Sequence, residues 1–333
     1  MRYLLYTLFL LTLSSCIQEN KRNTAFIKGR DALKQKEYKT AITQLEMCLS
    51  HDSTFSDAWN NLGVAYYATE NLQKAEDAYK NALIYDSCFI DAYHNLANLY
   101  YDKNNSTEAI NYLNLGLECD PSNHDLLMNR ATLYQDQDAY DNALKDLHKL
   151  KSFSTQNDVL YTNLGYTYYK IDQLDSAFHY SLMAIEINEN RHEAYNNLGM
   201  ISMKNKSLVE ASKYFSKAVS MSSTNSLYRF NLGEAWFLNK EFEKAKSAFN
   251  MAIYYDERKY QNNSLVFANS IILHDQKSSD KILNSLGSDS DNFFSKTYDQ
   301  LKLVGHKSTF CQYLNSIKEK NYKFDDRIYQ KCK

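Results

Sequence analysis

The chain of 333 residues is long enough for two or three ordinary domains unless it repeats, since stacked repeats make one elongated unit. Its 38 basic and 40 acidic residues give a formal charge of -2, which excludes the global positive field that draws in nucleic acid. A hydrophobic fraction of 44% with one proline and eight glycines excludes a disordered or loop-rich chain and favours helices.

Residues 1 to 16, MRYLLYTLFLLTLSSC, open with a single cation, Arg2, continue as an apolar run from Tyr3 to Leu13, and end in small residues. That order is an export leader. The run is too short for a bilayer-spanning helix, which needs about 20 apolar residues. Its end, Leu13-Ser14-Ser15-Cys16, resembles the lipobox of bacterial lipoproteins. The resemblance implies that residues 1–15 are cut away, that Cys16 carries a lipid thioether and its amine a further acyl chain, and that 16–21 form a short tether. Each buried methylene contributes roughly 0.8 kcal/mol, so several chains anchor stably where one is marginal. Ile17 rather than Asp follows the cysteine, which by the same analogy points to the outer membrane.

From residue 22 onward the chain repeats every 34 residues. Gly29, Gly63, Ala97, Ala131, Gly165, Gly199 and Gly233 form one column of small residues, and Ala41, Ala75, Ala109, Ala143, Ala177, Ala211 and Ala245 form another. Larger residues recur in two further columns: Ala32, Tyr66, Tyr100, Tyr134, Tyr168, Ser202 and Trp236, and Leu45, Tyr79, Leu113, Leu147, Ser181, Phe215 and Phe249. Spacing and residue types resemble the tetratricopeptide repeat, and WNNLGVAY at 59–66 is close to that pattern. The resemblance covers seven units, 22–55, 56–89, 90–123, 124–157, 158–191, 192–225 and 226–259. It implies an all-α fold, a right-handed superhelical solenoid of seven stacked helix-turn-helix units with C-terminal helices over 260–333. Each unit alone is too small to bury its apolar stripe, so neighbours supply the core. Two features strain the pattern in the fourth unit, Arg130 in the leucine column and Leu150 at a small-residue place. The proline that usually ends a unit survives only as Pro121, so Asp, Asn and Ser must set the other turns.

With each unit numbered from its first residue, Trp59, Leu62, Gly63 and Tyr66 share one side of the first helix and define its packed face. Position 6 falls near 240° on the same wheel, with positions 2, 9 and 13 at roughly 180° to 220°, so these four define an open face. In tetratricopeptide arrays that face lines a concave groove. Position 6 reads Asn61, Asn95, Asn129, Asn163, Asn197 and Asn231 in six consecutive units. Asparagine is a weak helix former, so helix propensity does not account for the column. A carboxamide offers an acceptor and two donors, which suits both groups of a peptide backbone. The column is similar to the asparagine ladder in the repeat region of O-linked N-acetylglucosamine transferases, which implies a grip on extended peptide. A bond to a neighbouring unit's backbone that supports stacking fits equally, and the two roles are not exclusive. Position 2 supplies Asp57, Asp91, Asp125 and Glu193, and position 13 supplies Asp102 and Asp136, followed by Lys170 and Lys204. The groove is thus expected to be acidic in its middle and more basic later, with Tyr67, Tyr101, Tyr169 and Phe237 of position 12 on its edge. Position 5 holds Phe26, Asn60 and His94, not the cationic clamp of chaperone-binding repeats.

Residues 260–333 are expected to leave the register, with Tyr260 to His274 as a capping helix and two helices over 293–331. No motif of metal, phosphate or nucleophilic chemistry is present, so neither cofactor nor catalytic residue is expected. Cys48, Cys88 and Cys119 read as small buried apolar residues. Cys311 and Cys332 are candidates for a disulfide in an oxidising compartment. The expected function is a non-enzymatic, lipid-anchored scaffold that binds protein or peptide segments, with no nucleic-acid partner. A recruiting subunit of an envelope enzyme and a glycan-binding module are the alternatives.

Overall fold

The computed structural model describes residues 2–153, 156–260, 263–286, 290–318 and 330–332, and in the first helix it describes side chains from Gln18 onward. Cys16 therefore lies outside the described side chains. Among the described residues the fold is all-α, with 19 helices and no strand, as the repeat implies. No helix among them is long and apolar enough to cross a membrane.

The chain divides into two compact units. The first, to residue 153, holds four helix pairs: α1 (Arg2–Lys34) with α2 (Tyr38–His51), α3 (Ser56–Ala68) with α4 (Leu72–Tyr85), α5 (Ile90–Asp102) with α6 (Ser106–Cys119), and α7 (His124–Asp136) with α8 (Tyr140–Phe153). The second holds α9 (Asp158–Lys170) with α10 (Leu174–Ile187), α11 (His192–Lys204) with α12 (Leu208–Met221), and α13 (Ser226–Leu238) with α14 (Phe242–Tyr255). It continues through α15 (Glu257–Tyr260), α16 (Ser264–Ile272), α17 (Gln276–Ser285), α18 (Ser290–Leu303) and α19 (Lys307–Lys318).

The turn inside each pair follows one local rule. A single residue takes the left-handed conformation at Lys36, Glu70, Asn104, Asp138, Asp172, Lys206, Lys240 and His274, with φ between 51° and 64°. The N–H of the following residue then bonds to the carbonyl five positions back, at 2.8–2.9 Å, which satisfies a helix-end carbonyl. Between pairs, Asp52, Asp86, Asp120 and Asn188 stop the second helices. Their side-chain oxygens accept the N–H two residues on at 3.0–3.1 Å, the work expected of Asp and Asn where proline is missing and, at Asp120, done alongside Pro121.

His274 lies 34 residues after Lys240, so the period does not stop at 259. α16 and α17 form an eighth helix pair, with Ser279 in the alanine column and Leu283 in the large-residue column, both buried. Phe267 in the Gly/Ala column conceals this pair in the sequence. Its ring anchors an apolar cluster with Phe237, Phe249, Phe294, Phe310 and Leu314, through which α18 and α19 cover the last repeats.

Packing within pairs explains the glycine column. A Cβ on Gly63 would lie 2.5 Å from the Tyr79 ring, and on Gly199 or Gly233 2.6 Å from Phe215 or Phe249. The aromatic plug of the second helix thus requires a bare backbone on the first. Where alanine takes the place, at 97 and 131, the plug is the slimmer Leu113 or Leu147. Arg130 does not fill its leucine site with apolar atoms. Its guanidinium binds both oxygens of buried Asp146, at 2.8 and 2.6 Å, and Asn114 Oδ1 at 2.7 Å. A fork-to-fork ion pair replaces the hydrophobic contact, and neither partner can be removed alone without stranding the other.

Two of the cysteines expected as buried apolar residues are bonded to each other instead. The Cys88–Cys119 disulfide, with Cα atoms 5.6 Å apart, ties the loop before α5 to the end of α6. Cys88 sits on an exposed loop where an apolar filler has nothing to fill. Cys311–Cys332 is a second disulfide, and Cys48 is the buried free thiol.

Candidate binding groove

The columns expected on the open side of the first helices have different surroundings. Asp57, Asp91 and Asp125 are exposed at the starts of α3, α5 and α7, and Asp102 and Asp136 are exposed at the ends of α5 and α7. The tyrosines of position 12 reach forward one repeat. Tyr67 donates its hydroxyl to Asp102, and Tyr101 donates to Asp136 at 2.9 Å. The bond to Asp102, aided by burial, pushes the Tyr67 hydroxyl up to about 12, and the bond and charge of Asp136 raise Tyr101 in the same direction. These phenols stay protonated and serve as fixed donors that steady the carboxylates.

In the second unit the corresponding contact changes character. Lys204 Nζ lies 4.7 Å above the Tyr169 ring and 2.8 Å from Asp172, so a cation replaces the carboxylate. Burial raises the Tyr169 hydroxyl. Glu234, on the same face of α13, is half-buried and has no hydrogen-bond or ionic partner among the described residues, and burial raises its carboxyl.

The asparagine column is not solvent-facing. Asn61, Asn95, Asn129, Asn163 and Asn231 are half-buried and Asn197 is buried. Asn95 Nδ2 donates to Asn60 Oδ1 at 2.9 Å, Asn231 Nδ2 to Asn196 Oδ1 at 2.9 Å, and Asn197 Nδ2 to the Thr162 carbonyl at 3.1 Å. Each bond runs to position 5 of the preceding repeat. For Asn61 and Asn129 that position holds Phe26 and His94, and neither carboxamide makes a hydrogen bond among the described residues. Two of these rungs join side-chain amides, Asn95 to Asn60 and Asn231 to Asn196, and could be read from two columns together, whereas the third uses the Thr162 backbone carbonyl, which side-chain identity does not announce.

Asn129 borders a hollow of about 150 Å³ between α5 and α7, lined by Ala97, Asn98, Tyr101, Leu113, Thr132 and Leu133 as well. Its lining combines aliphatic side chains with two amides, a hydroxyl and a phenol, and carries no charged group.

Models described as tetratricopeptide repeat match residues 56–87 and also 90–123, 159–191 and 192–225. Solved structures share the fold. A tetratricopeptide repeat protein from Parabacteroides merdae is 18% identical over 74% of this chain and 98% of its own, with a TM-score of 0.61. Pseudomonas aeruginosa pilF is 18% identical over 62% and 94%, with a TM-score of 0.53. PilW, described as a widely conserved type IV pilus biogenesis factor, is 18% identical over 63% and 96%, with a TM-score of 0.53. At these identities the likeness concerns the fold alone. No curated protein matches the sequence.

Proposed function

We propose that this chain, an array of tetratricopeptide repeats, is a non-enzymatic scaffold held to a bacterial membrane by lipid on Cys16, and that it binds protein or peptide segments on the open faces of its first helices. Repeats of this kind mediate protein–protein interaction, and the observation that carries the reading here is the hollow beside Asn129. Its unpartnered carboxamide borders an aliphatic floor at the centre of an exposed polar face. Other rungs of the column are occupied by neighbouring repeats, so peptide grip falls to Asn61 and Asn129 and stacking to Asn95, Asn197 and Asn231.

Two disulfides support an exported chain, because such bonds persist in oxidising compartments. A protein of the same fold is described as a pilus biogenesis factor, so a role in envelope assembly, at the outer membrane, is within the reach of the architecture. In-cell photo-crosslinking tests the groove. Crosslinkers at Asn98 or Thr132 are expected to trap a protein partner, whereas one at Ile84, exposed on the second helix α4, is not. Trapping at Ile84 alone would sink the groove reading. For the anchor, Cys16→Ser is expected to abolish labelled fatty-acid uptake and detergent-phase partition, and retention of both would remove the lipid from the account.

A further inference from the structure

The open face of the first unit carries five carboxylates, Asp57, Asp91, Asp102, Asp125 and Asp136, and none meets a cation among the described residues. Lys103 follows Asp102 in the chain yet turns to Glu76, at 2.6 Å, and Arg130 is bound to Asp146. The open-face columns of this unit hold two cations, Lys34 and Arg30, both in the first repeat, with Arg30 paired to Asp31, so from the second to the fourth repeat the face is left with net negative charge. The second unit does not share this property: the same two columns read Val159, Glu193 and Leu227, then Lys170, Lys204 and Leu238. The carboxylates form two rows, one at the starts and one at the ends of the first helices, with the hollow between them. Tyr101 joins the features, since it forms part of the hollow's wall and its hydroxyl fixes Asp136.

The geometry points to an extended segment with spaced lysines as the occupant of this face, one lysine lying in the hollow. The inference rests on the groove reading above and names the chemistry of its ligand. An aliphatic floor with a polar, uncharged rim, beside which Tyr101 holds the Asp136 carboxylate, suits a side chain with a methylene stem and a charged end, which buries the stem and keeps the ammonium at the edge. Asp136 accepts the hydrogen bond of the Tyr101 hydroxyl on one oxygen and has capacity for an ammonium on the other. The Asn129 carboxamide, unbonded beside the hollow, is placed to hold the segment's backbone. First helices of stacked repeats lie about 8 to 10 Å apart, and a segment in the polyproline II conformation advances roughly 3.1 Å per residue with three residues per turn. Every third side chain then faces the same way and meets the next carboxylate.

Fluorescence anisotropy with the full chain in detergent tests this. The probes are short acetylated, amidated peptides with lysine, norleucine or glutamate at every third position among serines. The lysine peptide is expected to bind, to weaken as salt rises, and to bind about tenfold more weakly to Asp136→Asn and to Asp102→Asn, the scale of one well-placed ion pair. Thr132→Trp, which crowds the hollow from an exposed rim position, is expected to weaken it by a similar factor. Melting curves of all three variants are expected to match that of the parent. Unchanged lysine-peptide affinity in both aspartate variants overturns the inference. Norleucine or glutamate peptides that bind as tightly as lysine, and are blocked by Thr132→Trp, overturn the basic ligand while leaving the groove reading standing. Failure of all three peptides to bind overturns both.

Discussion

Single residues in this chain separate into those that hold the repeat and those left over, and the asparagine column contains both. Asn197 is buried and bonded to the Thr162 carbonyl, so Asn197→Ala removes a hydrogen bond and is expected to cost about 1 kcal/mol in urea denaturation. Asn129 makes no such bond, and Asn129→Ala is expected to stay within about 0.5 kcal/mol of the parent. Equal losses would show that Asn129 has a structural partner too. The left-handed turn residue gives a prediction of opposite sign. Glu70 holds φ at 61° with an exposed side chain, a conformation that costs a non-glycine residue roughly 1–2 kcal/mol. Glycine removes that strain but adds unfolded-state entropy, so Glu70→Gly is expected to stabilise by about 0.5–1 kcal/mol. A lowered denaturation midpoint would mean the turn is held by something other than backbone preference.

Between elements, the most charged contact in the first unit joins α4 to α5. Glu76 accepts from Lys80 on its own helix and from Lys103 and Tyr100 on the next repeat, at 2.6, 2.6 and 2.7 Å. Burial pushes its carboxyl up, but the three donors together outweigh burial and hold it at about 2, below the ordinary 4.5. A carboxyl depressed in the folded state adds stability that is complete above about pH 4.5 and is lost as pH falls toward 2. At 1.36 kcal/mol per unit, that contribution is roughly 3 kcal/mol. Urea unfolding of the parent and of Glu76→Gln is therefore expected to differ most above pH 5 and to converge as the solution is acidified toward pH 2. Parallel curves across that range would show that the carboxylate's charge does not support the α4–α5 junction.

At the scale of the whole molecule, the columns of small and large residues made the seven helix pairs legible because a 34-residue period constrains every repeat alike. The eighth pair was hidden because Phe267 replaces a small residue, while the backbone still turns left-handed at His274, a conformation that side-chain identity does not announce. The groove was only half legible. A helical wheel gives the open side of an isolated helix, but it does not show that Asn95, Asn197 and Asn231 bond to the repeat before, one of them through a backbone carbonyl. Cys88 and Cys119 were misread because both fall within repeats, and it is the turn into α5 that brings them together. Since a repeat array is stabilised by nearest neighbours, the last pair needs a cover. Phe237 and Phe249 are fully buried in one cluster with Leu265, Phe267, Phe294 and Phe310. Truncation after Tyr260 removes four of those six residues and leaves the rings of Phe237 and Phe249 without their cover. The truncated chain is expected to lose amide-exchange protection in α13 and α14 while α3 to α6 keep theirs, as neighbour-limited coupling requires. Full protection of α13 and α14 without the C-terminal helices would mean that the last repeat is stable uncapped, and that α16–α19 are present for something other than covering it.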